Sequence, residues 1–480
     1  MKKILFIIPR YSIFGEYSEN IISTAPYGIL SLISYISKNS KYDIRIIDFN
    51  HHNINFNIYY FKPDYVCISA LFDSNFTHIK YIVPVIKKLY PKCILLVGGG
   101  FATHMYKLLL KEVPYIDAVC YGEGELPLKK LLEGKFSPAW ITNESLRNNI
   151  VPKHDFIEDL DEIPVINFDY IDIKKYNNRS PTLIDTFNDI EKDKVEMNIH
   201  TSRGCPFNCI FCSNSKIHGK KIRYMSIERI IETIKYYINN YNMNVLLIED
   251  DNFLFDKNRA LEVLDMIKEF NIKVEFPNGV AVNRIDDDIA KSLYEANVDV
   301  VPLAIESGSN HTLRIMKKPL RKEQIYKTVK SLRKFNIRIH AFIIIGIPNE
   351  LDEHRKETYD MLLKLGIDWV YFFIALPIAG TELYKICEEN GYLINNSYDD
   401  YNVTKCNIKA PGVDPDNIER EFLYMTMVVN YIANYNYRNE KYEVCLPYFL
   451  NAVKKYPNNV IAQYMLYNTL KKMNKNESKN

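Results

Sequence analysis

The sequence predicts an α/β protein of more than one domain: an N-terminal doubly wound parallel sheet, a partial (β/α)6 barrel and a C-terminal helical segment. Three observations carry this. At 480 residues the chain exceeds what a single core usually supports. Short β-rich apolar runs alternate with amphipathic helical stretches twice, once before residue 135 and again after residue 191. Residues 411–480 then keep a helical period.

In residues 1–135 the β-rich runs are Ile4–Ile8, Ile44–Ile47, Tyr65–Ser69, Cys93–Val97 and Ala118–Cys120. Helical patterns such as Tyr27–Lys38 and Thr77–Lys88 lie between them. This alternation implies a parallel sheet covered on both faces, and ligands of such sheets sit at the carboxyl ends of the strands. Two glycine turns fall there, Gly98-Gly99-Gly100 and Gly122-Glu123-Gly124-Glu125. Glycine permits close backbone approach to a ligand, although a sharp turn asks for it too.

Residues 136–190 lack a clear period and hold several Pro, Asn and Asp, which reads as a linker. Residues 191–410 give six further strand–helix units, with strands at Glu196–Thr201, Val245–Glu249, Lys273–Val282, Asp299–Ile305, Arg338–Ile345 and Trp369–Leu376. Active-site residues of such a barrel lie at its C-terminal strand ends. In the tail, Tyr437–Met473 resembles one tetratricopeptide repeat, with Tyr442, Cys445, Leu446 and Ala452 on one helix face, a break at Pro457-Asn458-Asn459, then Ala462 and Leu466. A lone repeat cannot bury its own face, so it is expected to pack on the barrel.

The composition is 47% apolar and 25% charged with net charge +2, an ordinary soluble profile. It offers no electrostatic reason to expect nucleic acid or an anionic membrane as partner. No stretch approaches the roughly 18–20 apolar residues of a membrane span. The apolar run in Met1–Pro9 is too short for a signal peptide and reads as a buried first strand. Nine cysteines, an odd and mostly scattered set, fit a reducing cytoplasm.

Three of them cluster as CxxxCxxC: Cys205, Cys209 and Cys212. Thiolates at this spacing can wrap one metal centre. Iron–sulfur clusters normally take four cysteines, so three leave one iron of a cubane open to a ligand that is not protein. A structural zinc would want a fourth Cys or His, and His218 is the local candidate. Inert buried thiols rarely cluster in this way.

The loop resembles the radical S-adenosylmethionine superfamily. The resemblance implies a 4Fe–4S cluster on Cys205, Cys209 and Cys212, with the methionyl amine and carboxylate of S-adenosylmethionine on the fourth iron and Phe211 against the adenine. The N-terminal third is similar to the cobalamin-binding, Rossmann-like domain of the class B members. It shares Pro26-Tyr27-Gly28-Ile29, Gly99-Gly100-Phe101-Ala102-Thr103 and the GEGE turn. This implies a corrin on the strand ends, beside Gly98, Gly99, Gly100, Gly122, Glu123 and Gly124. The D-x-H-x-x-G motif that supplies cobalt with a histidine is absent, since Asp48-Phe49-Asn50-His51-His52 has another spacing and no glycine. No histidine ligand on cobalt is therefore expected, and His104 reads as a polar residue closing a turn.

The barrel strand ends also resemble that family's TIM-like barrel. Glu249-Asp250-Asp251 stands where the family contacts the methionyl amine, and Glu249 or Asp250 would supply a charge-assisted acceptor. Glu306-Ser307-Gly308-Ser309 matches the segment whose glutamate bonds the ribose hydroxyls, with Ser307 suited to a cap. Gly346-Ile347-Pro348-Asn349-Glu350 carries Asn349 in place of a usual glycine, and Asn tolerates left-handed angles. Leu376-Pro377 and Gly380-Thr381 close the sixth strand, with Ala379 in place of a second proline.

The resemblance implies that an electron, from a donor such as flavodoxin or ferredoxin, cleaves the sulfonium and leaves a 5′-deoxyadenosyl radical. That radical removes hydrogen from an unactivated carbon, and cobalamin delivers methyl. The expected activity is cobalamin-dependent methylation of an sp³ carbon in a small-molecule, lipid or peptide substrate. An alternative keeps the cofactors for oxidative cyclisation or rearrangement. A third reading, a cluster-bearing binding or sensor protein, is opposed by acids at the expected strand ends, which a scaffold does not need.

Overall fold

The structure, a computed structural model, describes residues 1–10, 25–51, 60–177, 194–394 and 402–477, with side chains to residue 474. Two compact units emerge. One comprises Met1–Ser180, Thr201–Tyr236 and Pro377–Asn402, the other Pro181–His200, Tyr237–Leu376 and Val403–Asn480.

The first unit is built on β1 (Lys3–Ile8), β2 (Asp43–Asp48), β3 (Tyr65–Ser69), β4 (Ile94–Gly98), β5 (Ala118–Cys120) and β6 (Trp140–Ile141), in the order β2-β1-β3-β4-β5-β6. All neighbours are parallel except β6 on β5. Alternation along the strands feeds two cores. Leu5, Ile7, Val66, Ile68, Leu95 and Val97 face helices Asn75–Leu89 and Gly100–Glu112, while Ile4, Phe6, Ile8 and Leu96 face helices Tyr27–Ser37 and Glu125–Leu132. This is the expected doubly wound sheet. Its order reverses between β1 and β3, where such sheets open a crevice for ligands.

Residues 136–177, read from sequence as linker, lie within the first unit. They contribute β6, a short helix at Asn143–Arg147 capped by Thr142, and a His154–Phe156 ring stack. The next strand, β7 (Glu196–Ile199), belongs to the second unit. The first unit resumes with an antiparallel pair, β8 (Ser202–Arg203) on β9 (Arg223–Tyr224), which closes the stretch carrying the three cysteines.

The second unit adds β10 (Val245–Ile248), β11 (Lys273–Glu275), β12 (Val300–Glu306), β13 (Arg338–Ile345) and β14 (Trp369–Ile374). They form two parallel sheets, β11-β10-β7 and β12-β13-β14, joined by a parallel bridge between Val280 and Leu303. The six predicted barrel strands are thus present in order. The third is shorter than the expected Lys273–Val282, because Pro277 cannot donate to a ladder and Gly279 takes φ +75° before the bridge re-forms at Val280.

The tail ends in helices Tyr442–Lys455 and Val460–Glu477. Tyr442, Cys445, Ala452, Ala462 and Met465 join Trp369 and Tyr371 of β14 in one core, with Tyr448 stacked on Trp369 at 5.5 Å. The repeat-like pair therefore packs on the barrel, as its unfilled face requires. Among the described residues no helix is long and apolar enough to cross a membrane.

Candidate functional site

In the first unit the stretch from Gly204 to Ser213 has no helix or strand. Cys205 and Cys209 on it are half-buried and Cys212 is exposed. The Cys205 N–H donates to Gly219 O at 3.2 Å and the Cys212 N–H to Cys209 O at 3.1 Å. By contrast the Cys445 thiol is fully buried, which pushes it up to about 12 and suppresses its thiolate. Phe211 is half-buried on the loop. Among the described residues no three His, Cys, Asp or Glu side chains converge to hold a single metal ion. A cubane asks for something wider, since each thiolate takes a different iron.

At the carboxyl ends of the first unit's sheet, the turn after β4 presses on the turn after β3. A Cβ at Gly99 (φ +107°) would lie 2.5 Å from Ala70 O, and one at Gly122 (φ +80°) 2.7 Å from the His154 ring. These two glycines are demanded by the chain's own close approach. Gly98 ends β4, Gly100 opens the following helix and Gly124 precedes helix Glu125–Leu132 against Leu32.

Beside them Leu71 and Phe72 are exposed apolar side chains directly beyond β3. Asp73 Oδ1 and both ring nitrogens of His104 are buried without a hydrogen-bond partner. Burial raises the Asp73 carboxyl to about 6 against a hydrogen bond from the Ala379 backbone. Burial, helped by the Lys216 charge, lowers His104 to about 4 and keeps its imidazole neutral. An apolar ledge with unmatched polar atoms at a sheet's switch point fits a flat, largely apolar ligand with a polar rim.

Glu123, expected at the cofactor, spends its acceptor positions on protein donors. Arg223 Nη2 and Nη1 donate at 2.6 and 3.0 Å, His218 Nδ1 lies at 2.8 Å and Arg203 Nη1 at 3.2 Å. Burial alone would raise its pKa, yet the Arg203 charge and hydrogen bonds from His218 and Arg223 hold it well below the usual carboxylate range. His218, the residue a zinc site would need, is thus committed at Nδ1 to this carboxylate.

In the second unit, Glu249 follows β10. Asn198 Nδ2 of β7 donates to its carboxylate at 2.5 Å, and His200 Nε2 lies 3.6 Å away. Glu249 is half-buried and Asp250 is buried. At the end of β12 a bulge between Ala304 and Glu306, with Glu306 at φ +66°, aims that carboxylate at Lys318 Nζ, 3.0 Å away. Such strain persists only where the surroundings hold it.

Ser307 is fully buried; its hydroxyl meets Thr358 Oγ1 at 3.0 Å and accepts the Ser309 N–H at 3.1 Å. After β13, Gly346 takes φ +85° and donates its N–H to Glu350 Oε2 at 2.7 Å. Asn349 adopts φ +69°, so the turn survives without the usual glycine. The partners Arg203, Arg223, Asn198, His200 and Lys318 carry no local sequence signal, because each meets its acid only through the fold.

Residues 199–362 match the radical SAM superfamily, and residues 23–132 match the B12 binding domain. An uncharacterized methyltransferase of Pyrococcus horikoshii is 30% identical over 416 residues, spanning 83% of this chain and 86% of the relative. The chain belongs to the cobalamin-dependent radical S-adenosylmethionine enzymes. An anaerobic magnesium-protoporphyrin IX monomethyl ester cyclase of Rubrivivax gelatinosus is 22% identical over 447 residues, 89% of this chain and 76% of the relative. The fold is shared with the radical S-adenosylmethionine methyltransferase TsrM of Kitasatospora setae, solved with cobalamin and a [4Fe-4S] cluster, at TM-score 0.66 and 14% identity over 84% of this chain and 85% of that one. As a member of the cobalamin-dependent radical S-adenosylmethionine enzymes, the protein has a 4Fe–4S cluster, S-adenosylmethionine and cobalamin as its cofactors. The three accessible thiols, the half-buried Glu249 and the ledge at Leu71–Phe72 fit these groups.

Proposed function

We propose that this enzyme transfers a methyl group to an unactivated sp³ carbon of a small-molecule, lipid or peptide substrate. What carries the reading is one chain that joins a B12 binding domain to the cysteine loop and aligns over most of its length with a methyltransferase. Cys205, Cys209 and Cys212 would each hold one iron, and Phe211 would lie against the adenine. Glu249, oriented by Asn198 and His200, accepts from the methionyl amine, with Asp250 as the alternative acceptor. Glu306 accepts from the ribose hydroxyls with the lone pairs that Lys318 leaves.

Ser307 and Gly346 shape the turns that carry these contacts. Gly98, Gly99, Gly100, Gly122 and Gly124 would keep the strand-end turns clear for the corrin, Leu71 and Phe72 would support it, and Asp73 and His104 would meet its polar groups. When bound, the cofactors supply hydrogen-atom abstraction and the methyl group, while the protein supplies position and exclusion of water. A one-electron donor such as flavodoxin or ferredoxin serves the cluster.

Anaerobically reconstituted enzyme, incubated with reductant, methyl-labelled S-adenosylmethionine and a metabolite extract, tests this. Methyl transfer predicts 5′-deoxyadenosine and S-adenosylhomocysteine together, with label in a product. The second reading, oxidative cyclisation or rearrangement, is supported by the similarity to a cyclase over 89% of this chain and 76% of that relative. It predicts 5′-deoxyadenosine without S-adenosylhomocysteine, and an unlabelled product would sink methyl transfer.

A further inference from the structure

The stretch between β8 and β9 holds the three cysteines, yet its only regular element is the single turn Asn214–Ile217. Something other than secondary structure must fix it. Arg203 and Arg223 sit directly opposite each other in the β8–β9 register. Like charges so placed repel, and here both side chains are buried, at 7% and 2% exposure. The pairing that closes the loop therefore requires buried anions.

The GEGE turn supplies them. Glu123 receives both guanidiniums, bidentate from Arg223 at 2.6 and 3.0 Å and from Arg203 at 3.2 Å. Glu125 Oε1 receives Arg203 Nη2 at 2.8 Å and the Ser31 hydroxyl at 2.7 Å. Arg223 also donates to Ile157 O at 2.7 Å and to His218 O at 3.1 Å, and its guanidinium lies over the Phe156 ring at 4.3 Å. Two cations and two anions balance, each with several hydrogen bonds, the condition under which buried ions are tolerated.

We propose that Glu123 and Glu125, through Arg203 and Arg223, are positioning residues that clamp both ends of the cysteine loop and set the placement of its thiols for cluster binding. The proposal rests on Cys205, Cys209 and Cys212 being the cluster ligands. It gives the GEGE turn a task toward the cluster in addition to its place at the sheet's carboxyl edge. Charge fixes here what hydrogen-bonded strands fix elsewhere, and removing Glu123 leaves two opposed guanidiniums with the single carboxylate of Glu125, which reaches Arg203 alone.

The test compares wild type, Glu123→Gln, Glu123→Asp and Glu125→Gln after anaerobic reconstitution with iron, sulfide and cobalamin. Four readouts are iron release to a chelator, the electron paramagnetic resonance spectrum of the reduced cluster, cobalamin uptake and circular dichroism. Glu123→Gln is expected to retain cobalamin uptake and native circular dichroism, to alter the cluster's spectrum and to release iron at least about tenfold faster, since breaking a buried ion pair is costly. Glu123→Asp, which restores the charge, is expected to recover part of both cluster readouts. Iron release and spectrum unchanged in Glu123→Gln overturn the clamp, as does loss of cobalamin uptake with iron retained at the wild-type rate. Should Glu123→Gln lose its native circular dichroism, Glu125→Gln decides, with faster release supporting the clamp and wild-type release overturning it. Wild type without a 4Fe–4S spectrum would instead sink the ligand assignment beneath it.

Discussion

The first unit holds its chemistry-bearing residues on an irregular loop fixed by buried charge, whereas the second unit holds them at the ends of hydrogen-bonded parallel strands. Around the cysteines, Arg203, Arg223 and Glu123 are 7%, 2% and 3% exposed, and the carboxylate pairs with both guanidiniums. At the barrel strands, Glu249 is 21% exposed, with Asn198 donating to it at 2.5 Å and His200 3.6 Å away. The difference teaches where each site tolerates change. A strand end is already placed by its ladder, so its acids need no buried ion-pair network to hold them. A loop that must present three thiols has no ladder and spends its ions on itself.

The sharpest break in that comparison is Cys209→Ser. A serine hydroxyl does not replace a thiolate on iron, so 4Fe–4S absorbance and all turnover are expected to vanish while circular dichroism stays native. Next comes Arg223→Met in the first unit. It strands part of the Glu123 charge in a buried site and is expected to cost about 3 kcal/mol in chemical unfolding.

Glu350 sharpens the second unit's side. Burial raises its carboxyl to about 7 from a model-compound value of 4.5, against the Gly346 N–H and the Arg355 charge. The native state therefore binds this proton more tightly than the unfolded chain. Its contribution is fully favourable below about 4.5 and is lost as pH rises through about 7. Glu350→Gln keeps an acceptor for Gly346 and is expected to flatten the fall in stability across that window, as followed by denaturant melts at several pH values.

Glu249→Gln should leave folding intact and weaken S-adenosylmethionine binding about tenfold, close to 1.4 kcal/mol, by equilibrium dialysis with the reconstituted enzyme. Smallest of all, Lys318→Met frees Glu306 of its partner and is expected to cost about 1 kcal/mol in thermal unfolding.

Much of this molecule was legible in its sequence because period and local turn chemistry are local properties. The strand–helix alternation of residues 1–135 implies a sheet covered on both faces, and in the fold Leu5 and Ile7 fill one core while Ile4, Phe6 and Ile8 fill the other. The left-handed angle at Asn349 followed from what Asn tolerates. The third barrel strand, Lys273–Glu275, is shorter than its sequence pattern implies because that pattern continues through Pro277, where the ladder cannot.

The charge clamp stayed invisible for a different reason. Glu123 lies about a hundred positions from Arg223, and only the packed chain selects that partner among many surface charges. Residues 154–161 show the same limit. Their polar, aperiodic sequence reads as linker, yet Phe156, Ile157 and Asp161 contact Arg223 and the start of the following helix at Ser226.

The central claim is a cubane held by three thiolates with one iron left for S-adenosylmethionine. Electron paramagnetic resonance of the anaerobically reconstituted, reduced enzyme, recorded with and without S-adenosylmethionine, tests it most directly. The account predicts a reduced 4Fe–4S signal whose line shape changes when the amine and carboxylate reach the open iron. A signal that is absent, or that stays the same with saturating S-adenosylmethionine, would contradict it.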